Sequence, residues 1–287
     1  MEYNEKTFKA FPPNAVTMIG IPSDENSSFM RGSALAPPKI REVLRCGAAN
    51  LYSELGVNID NETLFCDCGD LNLEEGKKGF EQIESGIIQL LKQGGQVLSL
   101  GGDHAVTYPI IKAFSHIHQK LTILQFDAHS DTYDEYEGNR LSHASPFARI
   151  MEEKLASRLI QVGIRTLTDH IRDQVKRFGI EVVEARNFDP GIDLKLTGPL
   201  YISLDLDVLD PGFVPGVSHH EPGGLTVRDV VNLIHGIKVP IVGADIVEFN
   251  PGRDVSDMTA MVAAKFIKEL AGKMIQQKHP GSAAIIS

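Results

Sequence analysis

Six side chains in three short segments have the types and spacing to do chemistry. They are His104 in GGDHAV (101–106), Asp127, His129 and Asp131 in DAHSD (127–131), and Asp205 and Asp207 in SLDLDVLDP (203–211). All offer carboxylate oxygen or imidazole nitrogen, and none is a thiolate. Four carboxylates are too negative for one divalent ion and suit two. Oxygen-rich sites with some imidazole favour hard or borderline ions such as manganese, whereas thiolates select soft ones. A pair of ions about 3.5–4 Å apart makes water a nucleophile near neutral pH. The expected chemistry is hydrolysis at a site holding two Mn2+.

Each segment closes an apolar, strand-like run. Alternate residues of a strand share a face. Extending LTILQF (121–126) forward therefore puts Asp127, His129 and Asp131 on one side, and PLYISL (199–204) does the same for Asp205 and Asp207. His104 follows QVLSLGG (96–102), whose two glycines permit a sharp turn. Ligands of open α/β sheets gather at the carboxyl ends of parallel strands. One such aspartate alone reads as a cap or turn residue. Three segments in the same strand-end setting read as one site.

These segments carry a resemblance. GGDH, DAHxD and SxDxDxxDP stand unbroken, and the chain resembles the ureohydrolases, the family of arginases and agmatinases, from about Met18 to about Lys273. NSSFMRGSALAPPKIRE (26–42), SHASPFARIME (142–152), PGVSHHEPGGLT (215–226), VGADIVEFNPGRD (242–254) and MTAMVAAKFIKELA (258–271) look most like plant-type arginases. The resemblance implies that one manganese ion is held by His104, Asp127, Asp131 and Asp205. The other is held by Asp127, His129, Asp205 and Asp207. It implies a proton shuttle at His143, a guanidinium-orienting carboxylate at Glu248, and a homotrimer or homohexamer. Physical chemistry agrees with these roles. A carboxylate matches the planar guanidinium fork, and Glu248 follows the apolar run PIVGADIV (240–247). A leaving amine needs a proton, and histidine titrates in the right range. Asp131 could orient the attacking water while ligating. Ser142 is expected to cap a helix in SHASPFARIME, with His143 in its first turn.

The elements that must position these residues alternate. Strands are expected at AVTMIGI (15–21), TLFCDCG (63–69), QVLSLGG, LTILQF, RLIQVGI (158–164), IEVVEA (180–185), PLYISLDL (199–206) and PIVGADIV, with helices between most of them. TVRDVVNLIHGI (226–237) reads as a helix with a Thr226/Asp229 capping box and an apolar stripe of Val227, Val230, Val231 and Ile234. The fold class is α/β: one domain over 1–287, three layers α/β/α, around an eight-stranded mainly parallel sheet. No repeat or linker interrupts the chain, and the tail 276–287 is expected to fray or to reach a neighbouring subunit.

With 287 residues and 42% hydrophobic content, a substantial core is available, and no apolar run is long enough for a membrane helix. A net charge of −10 argues against nucleic acid. The opening MEYNEKTFKAFPP resembles neither a secretory signal nor a transit peptide, so a cytoplasmic location is expected. Cys46, Cys66 and Cys68 lack the second pair a zinc site needs and read as buried, reduced thiols.

The substrate implied is a small cationic guanidino compound. The loop Thr132–Ser142 (TYDEYEGNRLS) joins Asp131 to His143 and should line the mouth. An arginine carboxylate needs donors, which Asn139 and Arg140 could provide. Agmatine lacks that carboxylate and would prefer Asp134, Glu135 or Glu137. Arg140 could instead pair with one of those acids. The run GVSHHEPGG departs from the usual agmatinase GTGTPEPGG and sets His219 and His220 beside the pocket. The leading reading is arginase, with agmatinase, guanidinobutyrase or guanidine hydrolase as alternatives. Rivals of another class are a non-catalytic binding relative, which would have lost a ligand, and a deacetylase-like amidohydrolase with a single zinc.

Overall fold

The computed structural model describes residues 11–279. Eight strands form one sheet: β1 Val16–Gly20, β2 Phe65–Asp70, β3 Gln96–Leu100, β4 Thr122–Phe126, β5 Arg158–Ile164, β6 Glu181–Glu184, β7 Leu200–Asp205 and β8 Ile241–Val247. Their order is β2-β1-β3-β8-β7-β4-β5-β6. Every expected strand is present, shortened at most ends by one or two residues. The pairings are parallel throughout, where a mainly parallel sheet was expected. The reason is connectivity: crossovers covering both faces leave no hairpin.

Among the described residues, seven α-helices cover the sheet: α1 Ala36–Arg45, α2 Lys77–Lys92, α3 Thr107–Ser115, α4 Pro146–Glu152, α5 Asp169–Phe178, α6 Val227–Gly236 and α7 Met258–Lys278. Packing divides them into α1, α6 and α7 on one face and α2, α3, α4 and α5 on the other. Two apolar clusters follow that division. One holds Ile40, Ile202, Val231 and Phe266; the other holds Ile19, Ile87, Phe114 and Phe147. The α6 capping box is formed as the sequence implies, Thr226 Oγ1 accepting from Asp229 N while Asp229 accepts from Thr226 N.

Three local expectations are corrected. Ser142 does not cap α4. The helix begins at Pro146, and Ser142 Oγ instead accepts from Ala144 N at 3.3 Å. Proline suits the first helical position, because its missing N–H would have had no partner there. The cysteines are not buried: Cys46 is exposed, and Cys66 and Cys68 are half-buried. Cys66 and Cys68 lie on β2, an edge strand, which among the described residues pairs with a strand on one side alone. Finally, α7 runs to Lys278 and so orders the start of the tail, while residues 280–287 lie outside the described residues.

Candidate metal centre

His104, Glu248, Asp205 and Asp127 follow or end β3, β8, β7 and β4, which are adjacent in the middle of the sheet. Four chain segments far apart in sequence are thereby brought to one carboxyl edge. His104 opens a 3-10 turn, His104–Val106. Its approach depends on Gly102, where a Cβ would overlap the Ser23 carbonyl. Asp205 ends β7, and Asp207 lies in the 3-10 turn Leu206–Val208.

The DAHSD residues meet by a different route from the alternation expected of them. β4 stops at Phe126, and Asp131 adopts a left-handed backbone, φ 51°. A loop gathers these side chains. Glu248 is also left-handed, φ 65°. Such conformations cost non-glycine residues roughly 1–3 kcal/mol and concentrate at functional sites.

His104 Nδ1 stands 3.1 Å from Asp127 Oδ2, 3.0 Å from Asp131 Oδ2 and 3.2 Å from Asp205 Oδ2. These four side chains are buried and could hold one cation; Asp127, His129 and Asp207 could hold a second. His129 Nδ1 is 2.9 Å from Asp207 Oδ2. Three of the four aspartates share one device. They use Oδ1 to brace the chain and leave Oδ2 on the cluster: Asp127 accepts from His129 N, Asp205 from Asp207 N, and Asp207 from Ala128 N.

The donors fit a cation. His104 Nδ1 is buried without a hydrogen-bond partner. Its Nε2 contacts Ser203 Oγ at 2.9 Å, and that hydroxyl donates to Asp245 Oδ1 at 2.7 Å. With its hydrogen spent on Asp245, Ser203 can only accept from His104 Nε2–H, which leaves the Nδ1 lone pair facing three carboxylates. Burial and the Asp131 and Asp207 charges push Asp127 up to about 7. Burial pulls His129 down, but Asp207 and Asp127 more than offset it and push it up to about 11. The cluster calls for positive charge.

Glu248 and His143 stand beside the cluster, and both are buried. Glu248 Oε1 accepts from His104 N at 2.9 Å and meets His143 Nδ1 at 2.8 Å. Burial pushes the Glu248 carboxyl up, yet the His143 charge and these hydrogen bonds hold it below its ordinary value. Burial pulls His143 down, and Glu248 overrides it, to about 9. The half-buried His219 ring lies 5.3 Å from that of His143, 6.0 Å from that of His129 and 5.5 Å from that of Phe29, while His220 turns to Pro215 O and Arg253.

In the 132–142 loop, Arg140 pairs with Glu152 at 3.0 Å, an acid outside the loop and not one of the three considered from sequence. Asn139 Nδ2 donates to Asn26 Oδ1. Asp134 pairs with Arg177.

Several supporting residues escaped the sequence reading. Register aligns Ser99, Asp245, Ser203, Gln125 and Gln161 in one row across β3, β8, β7, β4 and β5. All are fully buried. Gln125 Nε2 donates to Asp127 Oδ2 at 2.7 Å, and Gln161 donates to Gln125 Oε1 and Ser130 O. Asp103 Oδ2 accepts from Asn26 N and the Ser27 hydroxyl, and the Arg165 guanidinium donates to Asp207 O and Val208 O. The signal was available: each of those strands carries one polar residue inside an apolar run.

A buried cluster of aspartate and histidine at the carboxyl ends of a parallel sheet marks a metal-dependent α/β hydrolase. Comparison with known proteins agrees. The pattern of the Arginase family matches residues 14–272. Arginase 2, chloroplastic/mitochondrial, of Arabidopsis thaliana is 46% identical over 274 residues, covering 90% of this chain and 80% of that one. The solved arginase from Medicago truncatula superposes with a TM-score of 0.87 at 42% identity, over 91% of this chain and 87% of that one. The agmatinase of Bacillus anthracis is 33% identical over 273 residues, covering 92% of this chain and 93% of that one. The chain belongs to the arginase family.

Proposed function

We propose that this protein hydrolyses arginine to ornithine and urea at a centre of two Mn2+ ions. The observation that carries the proposal is the buried His/Asp cluster with the Glu248 carboxylate beside it, hydrogen-bonded to both His104 N and His143. Higher identity to arginases than to an agmatinase supports arginine over agmatine.

His104, Asp127, Asp131 and Asp205 would hold one ion, and Asp127, His129, Asp205 and Asp207 the other. When bound, the ions make water nucleophilic near neutral pH. Glu248 accepts the guanidinium N–H groups and fixes the plane of the electrophilic carbon. Asp131 orients the attacking water. His143 gives a proton to the leaving amine nitrogen; the Glu248 charge, which raises its basicity, keeps that proton available at neutral pH. Asn139 and Arg140 are the proposed donors to the substrate carboxylate. Arg140 reaches it by releasing Glu152, and exposed pairs of this kind are worth only about 0–1 kcal/mol.

A homotrimer or homohexamer in the cytoplasm completes the proposal. Three cysteines that are not joined in disulfides suit a reducing compartment. Among the described residues, no helix is long and apolar enough to cross a membrane.

The test is urea release from manganese-loaded protein with arginine, agmatine, 4-guanidinobutyrate and guanidine at equal concentration, alongside metal analysis and light scattering. Dominant kcat/KM for arginine supports the reading. Dominance of another substrate replaces arginine, and one zinc per chain favours the deacetylase-like alternative.

A further inference from the structure

His143 is held between two groups of different hydrogen-bonding character. Nδ1 meets Glu248 Oε1 at 2.8 Å, and Nε2 meets the Ser28 hydroxyl at 2.9 Å. An ionised carboxylate can only accept, so Nδ1 keeps its hydrogen whether the ring is neutral or charged. The hydrogen that His143 gains or loses is then the one on Nε2. A hydroxyl suits that nitrogen in both states. It accepts from Nε2–H and, after a small rotation, donates to bare Nε2.

Ser28 is carried by a segment fastened on both sides of it. Before it, Asn26 O accepts from His143 N at 3.1 Å, and Asp103 Oδ2 accepts from Asn26 N at 3.1 Å and from the Ser27 hydroxyl at 3.2 Å. After it, the Ser218 hydroxyl and Asn250 Nδ2 donate to Met30 O at 2.8 and 3.2 Å. Asp24 Oδ2 closes the segment by accepting from Gly32 N at 2.6 Å. Such fastening is out of proportion for a surface loop, whose backbone water would otherwise satisfy. It fixes one exposed hydroxyl on the outer nitrogen of a buried imidazole.

We propose that Ser28 is a positioning residue for His143: its hydroxyl holds the ring and the exchangeable Nε2 hydrogen in place until the leaving amine displaces it and takes that proton. The inference rests on the proposed reaction, in which His143 supplies that proton. It goes beyond that reading by assigning a function to the segment around Ser28, which contains none of the proposed metal ligands.

The experiment compares wild type, Ser28→Ala and Ser28→Thr at equal metal content. In Ser28→Ala, kcat for arginine should fall about tenfold, part of the 10²–10⁴ that a placed acid contributes. KM should change by less than about twofold. The histidine-dependent limb of the kcat–pH profile should move, and Ser28→Thr should restore rate and limb. A second readout needs no turnover. Diethyl pyrocarbonate attacks free imidazole nitrogen, so peptide mass analysis should find His143 modified several-fold faster in Ser28→Ala. Unchanged kcat, pH profile and modification rate would overturn the inference, as would a rise in KM alone, which would make Ser28 a binding residue. Wild type that releases no urea defeats the arginase reading instead. The modification rates then decide whether Ser28 holds Nε2, and equal rates overturn that too.

Discussion

Asp127, Asp205 and Asp207 each divide two oxygens between the backbone and the cluster, so none of the three can be altered without disturbing both. Asp205→Ala removes a buried carboxylate that both proposed ion sites would use. We expect that variant to lose metal and nearly all turnover; retention of both metal and rate would remove the cluster from the chemistry. Gln125 acts one step further out, through its 2.7 Å bond to Asp127 Oδ2. Supporting residues of this kind typically change metal affinity 10–100-fold. Gln125→Leu should therefore weaken manganese binding by about tenfold in a direct titration, with the fold retained; unchanged affinity would reduce the Gln125–Gln161 pair to core packing. At the mouth, Arg140→Ala should raise KM for arginine more than for agmatine, because only arginine brings a carboxylate. Equal effects on the two substrates would confine Arg140 to its pair with Glu152. The six proposed ligand residues, His143 and Glu248 could be singled out from the sequence because each sits within a few residues of a recognisable motif. Gln161, Asp103, Arg165 and Ser28 were not, since their partners are distant in sequence. Gln125, two residues from Asp127, left only the mark of one polar residue inside an apolar run.

Among the elements, α7 is unusual in burying Lys268, Glu269 and Lys273 along with its apolar residues. Glu269 is fully buried and fastens three parts of the chain. It accepts from Glu54 N at 3.0 Å, pairs with His235 of α6 at 2.7 Å and pairs with Lys265 one turn earlier. Removing one partner of a buried pair leaves the others without compensation, at a cost of about 3 kcal/mol. Glu269→Ala should lower the urea midpoint accordingly, and a shift within error would mean that water replaces the carboxylate. The 226–237 helix was readable to its capping box because caps are local chemistry. The α4 boundary was not, because Ser142 and Ser145 look alike in sequence and the Pro146 ring, with the loop behind it, chose the start.

Across the whole molecule, the connection between α1 and β2 is fastened to the α6/α7 layer through Glu54, which pairs with Arg228 and Lys265. Hydrogen bonds from Arg228 and Lys265 pull the Glu54 carboxyl down to about 2 from an ordinary 4.5. A depressed folded-state value stabilises the fold above the unfolded value, and that contribution disappears as pH falls through the folded one. The stability gap between wild type and Glu54→Gln should therefore be full above about pH 4.5 and close towards about pH 2. Since Glu54 is 38% exposed, salt should shrink the gap as well. A gap independent of pH between 5 and 2 would show that the charge on Glu54 is not what holds this connection.

The sequence by itself determined the element types, the alternation that makes the sheet parallel, and the ligand types, because periodicity, caps and donor chemistry act over a few residues. Only the tertiary structure decided that β3, β8, β7 and β4 are neighbours. That adjacency brings His104 to Asp205 and Glu248 to His143, and lines up a buried polar row beneath them. The physical reason is range. Strand order is set by packing two helical layers against the sheet, an energy spread over the whole core, and no short stretch of sequence records it.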